Sequence, residues 1–137
     1  MTPAQTPLTG QHILKGLPAA AQTARLLTTA LLPPRHPALD DTRLVVSELV
    51  TNAIQHTYSG LPGGELGLSV DPHHPQGVLV EVVDAGGSTT PTMAALNRMS
   101  PHGRGLRLVD ALTVEWGTSP LPAGYRTVWA VVGGDAA

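Results

Sequence analysis

Apolar residues between positions 44 and 56 recur with helical spacing. Val46, Leu49, Val50 and Ala53 stand at i, i+3, i+4 and i+7, which predicts a helix with one face in a core. Glu48, Asn52 and His56 recur every fourth residue along another side of the same helix. A carboxylate and a carboxamide one turn apart can share one substrate, or they can be an ordinary solvated face. The helix is expected to open near Asp40, whose side chain is suited to capping it, and to end at Ser59-Gly60. Upstream, Pro18 suits the first turn of another helix running to about Leu32, where Pro33-Pro34 stops it. Ala20, Ala24, Leu27 and Leu31 would form its buried stripe.

Elsewhere the period is that of strands. Residues 12–17 read as a short edge strand with Ile13 and Leu17 inward. Leu66, Leu68 and Val70 alternate with polar residues over 65–70 and predict a half-buried strand; 71–77, with two prolines, reads as a hairpin connection. A continuously apolar strand over 78–83 ends in Asp84-Ala85-Gly86-Gly87. Residues 88–102 hold one short helical pattern, 93–98, between prolines, and predict a lid. Gly103-Arg104-Gly105 leads into a short helix over 106–111, and strands over 113–116 and 125–132 close the chain as a hairpin. Because helices come early and strands late, the expected class is α+β. The arrangement would be a two-layer sandwich, helices on one face of a mixed, mostly antiparallel sheet. Residues 1–10 read as a flexible amino terminus and 11–134 as a single domain.

Composition narrows the function classes. A chain of 137 residues with a formal net charge of -2 and eight basic residues has no electrostatic footprint for nucleic acid. No cysteine is present, so disulfides and thiolate metal sites are excluded. The first residues lack a basic start followed by an apolar run, and the most apolar later segment is interrupted by Glu81, so a soluble cytoplasmic protein with no membrane partner is expected. With no phenylalanine, the core is aliphatic.

Two polar sites stand out beyond the helix. Asp84 follows a buried-looking strand and precedes two glycines, where its carboxylate could accept a hydrogen bond from an exocyclic amine such as that of adenine, or could be a turn aspartate. Gly103-Arg104-Gly105 opens a helix whose free N–H groups can face phosphate, although Gly-x-Gly alone occurs in many turns and an exposed arginine is common. Neither a P-loop nor a Rossmann glycine fingerprint is present.

In order, SELVTNAIQHTY, VEVVDAGG, GRGLRLV and GYRTVWAVV resemble the N box, the two glycine boxes and the terminal strand of GHKL (Bergerat-fold) ATP-binding domains. Within that superfamily the chain most resembles the bacterial anti-sigma factor serine/threonine kinases, through Asn52-Ala53-x-x-His56-x-Tyr58. The resemblance implies ATP and Mg²⁺ as cofactors. It assigns Asn52 to the metal through its side-chain oxygen, which suits magnesium's preference for few protein oxygens plus water and phosphate. Glu48 would be the general base on an attacking hydroxyl. Asp84 would accept the adenine amine, Gly86 would let the base approach, and Thr127 would complete the pocket. Gly103, Arg104, Gly105 and Leu106 would hold phosphates, and the lid would close over them. His56 matches the motif, yet a histidine at a helix carboxyl end is favoured by the dipole in any case. His73-His74 and His102 read as loop histidines rather than metal ligands, and Trp116 and Trp129 as packing residues. Many relatives carry Asp-x-Gly-x-Gly, whereas here Gly86-Gly87 is followed by Ser88.

The function implied by resemblance is a kinase that phosphorylates an anti-sigma antagonist protein and sequesters a sigma factor, with homodimerisation left open. A nucleotide-gated binding module without phosphotransfer and a simple ATPase are the alternatives.

Overall fold

The computed structural model describes residues 11–87 and 105–133. Five strands, β1 (His12–Lys15), β2 (Glu65–His74), β3 (Gly77–Asp84), β4 (Thr113–Pro120) and β5 (Arg126–Gly133), form one sheet in the order β1-β2-β3-β5-β4. Three helices, α1 (Ala20–Leu31), α2 (Leu39–His56) and α3 (Gly105–Leu112), accompany them. The α+β sandwich expected from sequence is present, and the sheet is simpler than expected: every pairing among the described strands is antiparallel.

Alternation along the strands decides the core. Leu66 and Leu68 of β2, Val78, Val80 and Val82 of β3, and Ala130 and Val132 of β5 are fully buried and meet Val45, Val46, Leu49, Val50 and Ala53 of α2. All four apolar positions that define the α2 stripe are therefore inward. Thr42 and Val45 extend it by one turn. On α1 the buried residues are Ala20, Ala24 and Thr28, while Leu27 and Leu31 are half-buried. Thr28 is accommodated because its hydroxyl donates to the Ala24 carbonyl at 2.8 Å and leaves no unpaired group.

Several boundaries differ from expectation for local reasons. Ala38, not Asp40, precedes α2 and makes no side-chain cap; Asp40 and Asp41 lie in the first turn, where their charge favours the helix dipole. Strand β2 continues to His74 and β3 begins at Gly77, so the connection is two residues rather than the expected seven. His73 and His74 consequently lie at the end of a strand, and His74 Nδ1 accepts the Gln76 N–H across the turn. In β1 the inward residue is Leu14, 7% exposed, whereas Ile13 is 45% and Leu17 56% exposed. Pairing explains the reversal: Leu14 stands opposite Leu66 and His12 opposite Leu68, so the even positions share the core face. The lid assigned to 88–102 and its helical pattern lie outside the described residues. No helix among the described residues is long and apolar enough to cross a membrane.

The β1 register generates a direct comparison. Leu14→Ala is expected to cost about 2–3 kcal/mol by removing a core side chain, and Ile13→Ala well under about 1 kcal/mol. Urea unfolding of the two variants checks the order; a larger loss for Ile13 would refute this register.

Candidate functional site

The carboxyl-terminal half of α2 lies over β3 and β5. Leu49 and Ala53 pack downward, and the next positions round the helix, Asn52 and His56, overhang the end of the sheet. There they meet Asp84, the last residue of β3, and Arg126, the first of β5. Leu49, Asn52, Ala53, His56, Thr57, Asp84, Arg126 and Val128 enclose a cavity of about 20 Å³, room for a single water. A larger cavity, about 270 Å³, opens at the sheet edge between Lys15–Leu17 and Leu61–Glu65. Its only charged members, Lys15 and Glu65, are exposed residues opposite one another on β1 and β2, and no buried carboxylate lines it. The chemistry lies in the smaller site.

Asp84 is held by its own turn. Gly86, at φ +76°, folds its N–H back onto Asp84 Oδ1 at 2.7 Å. A side chain at Gly86 would collide with the Gly124 carbonyl of the β4–β5 turn, so both the backbone angle and the space require glycine. The Gly86 carbonyl accepts the Tyr58 N–H at 2.8 Å, and the Ala85 N–H donates to the buried Ser59 hydroxyl at 2.9 Å. These bonds tie the end of β3 to the 3₁₀ turn Tyr58–Gly60 that follows α2.

Arg126 Nε lies 3.3 Å from Asp84 Oδ1, with the carboxyl side chain 2% and the arginine 11% exposed. Burial pushes the Asp84 carboxyl above its ordinary value, because removal from water penalises the charged form. The Arg126 charge and the Gly86 hydrogen bond oppose that rise without cancelling it. His56 is held below its ordinary value by burial. Asn52 Nδ2 and His56 Nε2 are buried without a hydrogen-bond partner among the described residues. Buried polar atoms are seldom left this way, and two lining one cavity beside a buried carboxylate suit a polar ligand.

The other expected site residues fall in different places. Glu48 is half-buried one turn before Asn52 on α2 and does not line the cavity. Gly105 and Leu106 form the start of α3, which packs against α2. Gly103, Arg104 and His102 lie outside the described residues. Thr127 is not in the cavity. Asp84 pairs with Arg126, while Thr127 pairs with Val83 one step along, so period-two alternation turns Thr127 to the face away from α2. Arg126 takes the place at the cavity that was expected of Thr127. Alternation would have revealed this, since Val128, Ala130 and Val132 already mark the inward set to which residue 126 belongs. Among the described residues no group of histidine and carboxylate side chains could by itself hold a metal ion.

The family model for the histidine kinase-like ATPase domain matches residues 14–126. The chain belongs to this family of ATPase domains. No curated protein matched the chain. Domains of the histidine kinase-like ATPase family bind ATP, typically with Mg²⁺, and the residues present fit that ligand. Asp84 is a buried acceptor suited to an exocyclic amine, and Asn52 offers a carboxamide whose nitrogen has no partner among the described residues.

The raised Asp84 value sets a sign for stability. Because the folded state holds its proton more tightly than the unfolded chain does, the contribution of Asp84 falls as pH rises from about 3.8 towards the raised value, then levels. The difference in unfolding free energy between wild type and Asp84→Asn should therefore become less favourable to wild type over that window. Denaturant titrations from pH 3.5 upward measure it; a difference moving the opposite way would refute the assignment.

Proposed function

We propose that the chain is an ATP- and Mg²⁺-dependent protein kinase of the anti-sigma type, which phosphorylates a serine or threonine of an antagonist protein and holds a sigma factor through another surface. The observation that carries ATP binding is the convergence of Asp84 with the unpartnered polar atoms of Asn52 and His56 in one cavity under α2. Support for the anti-sigma class is the resemblance through Asn52-Ala53-x-x-His56-x-Tyr58.

In this reading Asp84 accepts the adenine amine and orients the nucleotide. The Asn52 oxygen would hold Mg²⁺, which would supply positive charge to the phosphates. Glu48, one turn earlier on α2, accepts the proton of the substrate hydroxyl as its oxygen bonds to the γ-phosphorus. The bond from that phosphorus to the bridging oxygen breaks, and ADP leaves with the electron pair. Backbone N–H groups at the start of α3 stabilise the phosphates.

A nucleotide-gated binding module without phosphotransfer is a second reading, and a simple ATPase, with water in place of the hydroxyl, is the third.

Labelled ATP with Mg²⁺ and candidate antagonist proteins separates them. Label on a partner serine or threonine is expected, falling roughly 10²–10⁴-fold in Glu48→Ala while ATP binding persists, the range for loss of a general base. Label released as free phosphate would favour the ATPase, and partner binding without turnover the module. Asn52→Ala is expected to lose Mg²⁺-ATP binding with its circular dichroism unchanged; unaltered calorimetric affinity would overturn its role.

A further inference from the structure

The contact between Asp84 and Arg126 at the cavity wall has no part in the proposed phosphotransfer. Arg126 lies against Asp84, and both side chains are almost wholly shielded from water. A guanidinium offers only donors to a carboxylate, as does the exocyclic amine of an aminopurine, so the two ligands satisfy Asp84 in the same way. With Arg126 in place the cavity has no room for a base. The remaining cavity, about 20 Å³, is far below the roughly 300 Å³ at the small end of ligand pockets.

The apolar walls and the acceptor itself have little freedom to enlarge it. Leu49 and Ala53 belong to the buried core with Val128 packed against it, and Asp84 is tethered by the Gly86 N–H. Arg126 differs from them. It is the first residue of β5, at the sheet end beside the Pro122–Gly124 turn, and its unbranched stem can carry the charged head outward without moving backbone.

We propose that Arg126 is a resident occupant of the base position, so that an aminopurine nucleotide enters by displacing its guanidinium from Asp84. The inference rests on the nucleotide reading of this cavity and adds an exchange to it. Asp84 passes from one donor to another and keeps a partner throughout. Affinity is set by the difference between the two donors, and a ligand without a base gains nothing from the removal of Arg126.

Calorimetry on the full chain tests this with Mg²⁺-ATP and with inorganic tripolyphosphate, comparing wild type, Arg126→Thr and Arg126→Lys. Arg126→Thr is expected to bind ATP more tightly by on the order of tenfold, the size of one charge-assisted contact, with tripolyphosphate affinity unchanged. Arg126→Lys, which retains a donor for Asp84, is expected to stay near wild type. If Arg126→Thr does not fold, Arg126→Met keeps the stem without the donors and should show the same gain. ATP binding by wild type with no gain in the variant, or with an equal gain for tripolyphosphate, would overturn the exchange alone. Folded wild type and variant that both fail to bind ATP would overturn the exchange together with the nucleotide reading.

Discussion

Antiparallel pairing of β3 with β5 decides which side chains share the space under α2. With Val82 opposite Val128 and Val80 opposite Ala130, the same register brings Asp84 opposite Arg126. A slip of one residue would exchange Arg126 for Thr127 and turn a buried ion pair into a carboxylate facing a hydroxyl. Every buried valine of β3 and β5 resists that slip, because it would also turn the core face outward. The electrostatics of the cavity are thus fixed by hydrophobic packing some distance from it.

The helix supplies the other half of the site by the same means. Val46, Leu49, Val50 and Ala53 anchor α2 to the sheet, and that anchoring determines where Asn52 and His56 project. Their buried, unpartnered atoms carry a cost, since polar groups lose water without gaining a partner. It is tolerated on a helix held by so many apolar contacts. The end of β3 is fixed to α2 separately, through Tyr58, Ser59 and the Thr57 hydroxyl, which accepts the Ser59 N–H and donates to the Ala53 carbonyl.

Much of the architecture was legible in sequence because one face of each long element is apolar at its own period. The α2 stripe, the Leu66-Leu68 face and the late hairpin follow from spacing alone. Short elements were less legible. Residues 12–17 contain apolar residues at both parities, so only pairing with β2 distinguishes Leu14 from Ile13. Among the site residues, Asn52 and Asp84 line one cavity, while Thr127 lies one register step away on the other face of β5, a placement that alternation reads and motif likeness does not. Arg126 was missed because an arginine at a strand's first position usually points to water. Its burial depends on a carboxylate forty-two positions earlier in the chain, and that is a long-range fact.

Asp84 explains why a charged side chain should lie in a place suited to a base. An acceptor that discriminates an amine works best when shielded from water, but shielding raises the free energy of the ionised carboxyl whenever the ligand is absent. A neutral neighbour would leave that penalty whole. Arg126 lowers it, its Nε facing the same oxygen, Oδ1, that accepts the Gly86 N–H in the geometry set by the turn. A buried ion pair of this kind adds little net stability, because desolvation consumes most of the attraction. What it does instead is keep the acceptor aimed. Once Asp84 is required to be dry, a donor beside it reduces the cost of its charge in the ligand-free protein, and the register of β5 makes residue 126 the position from which that donor can reach.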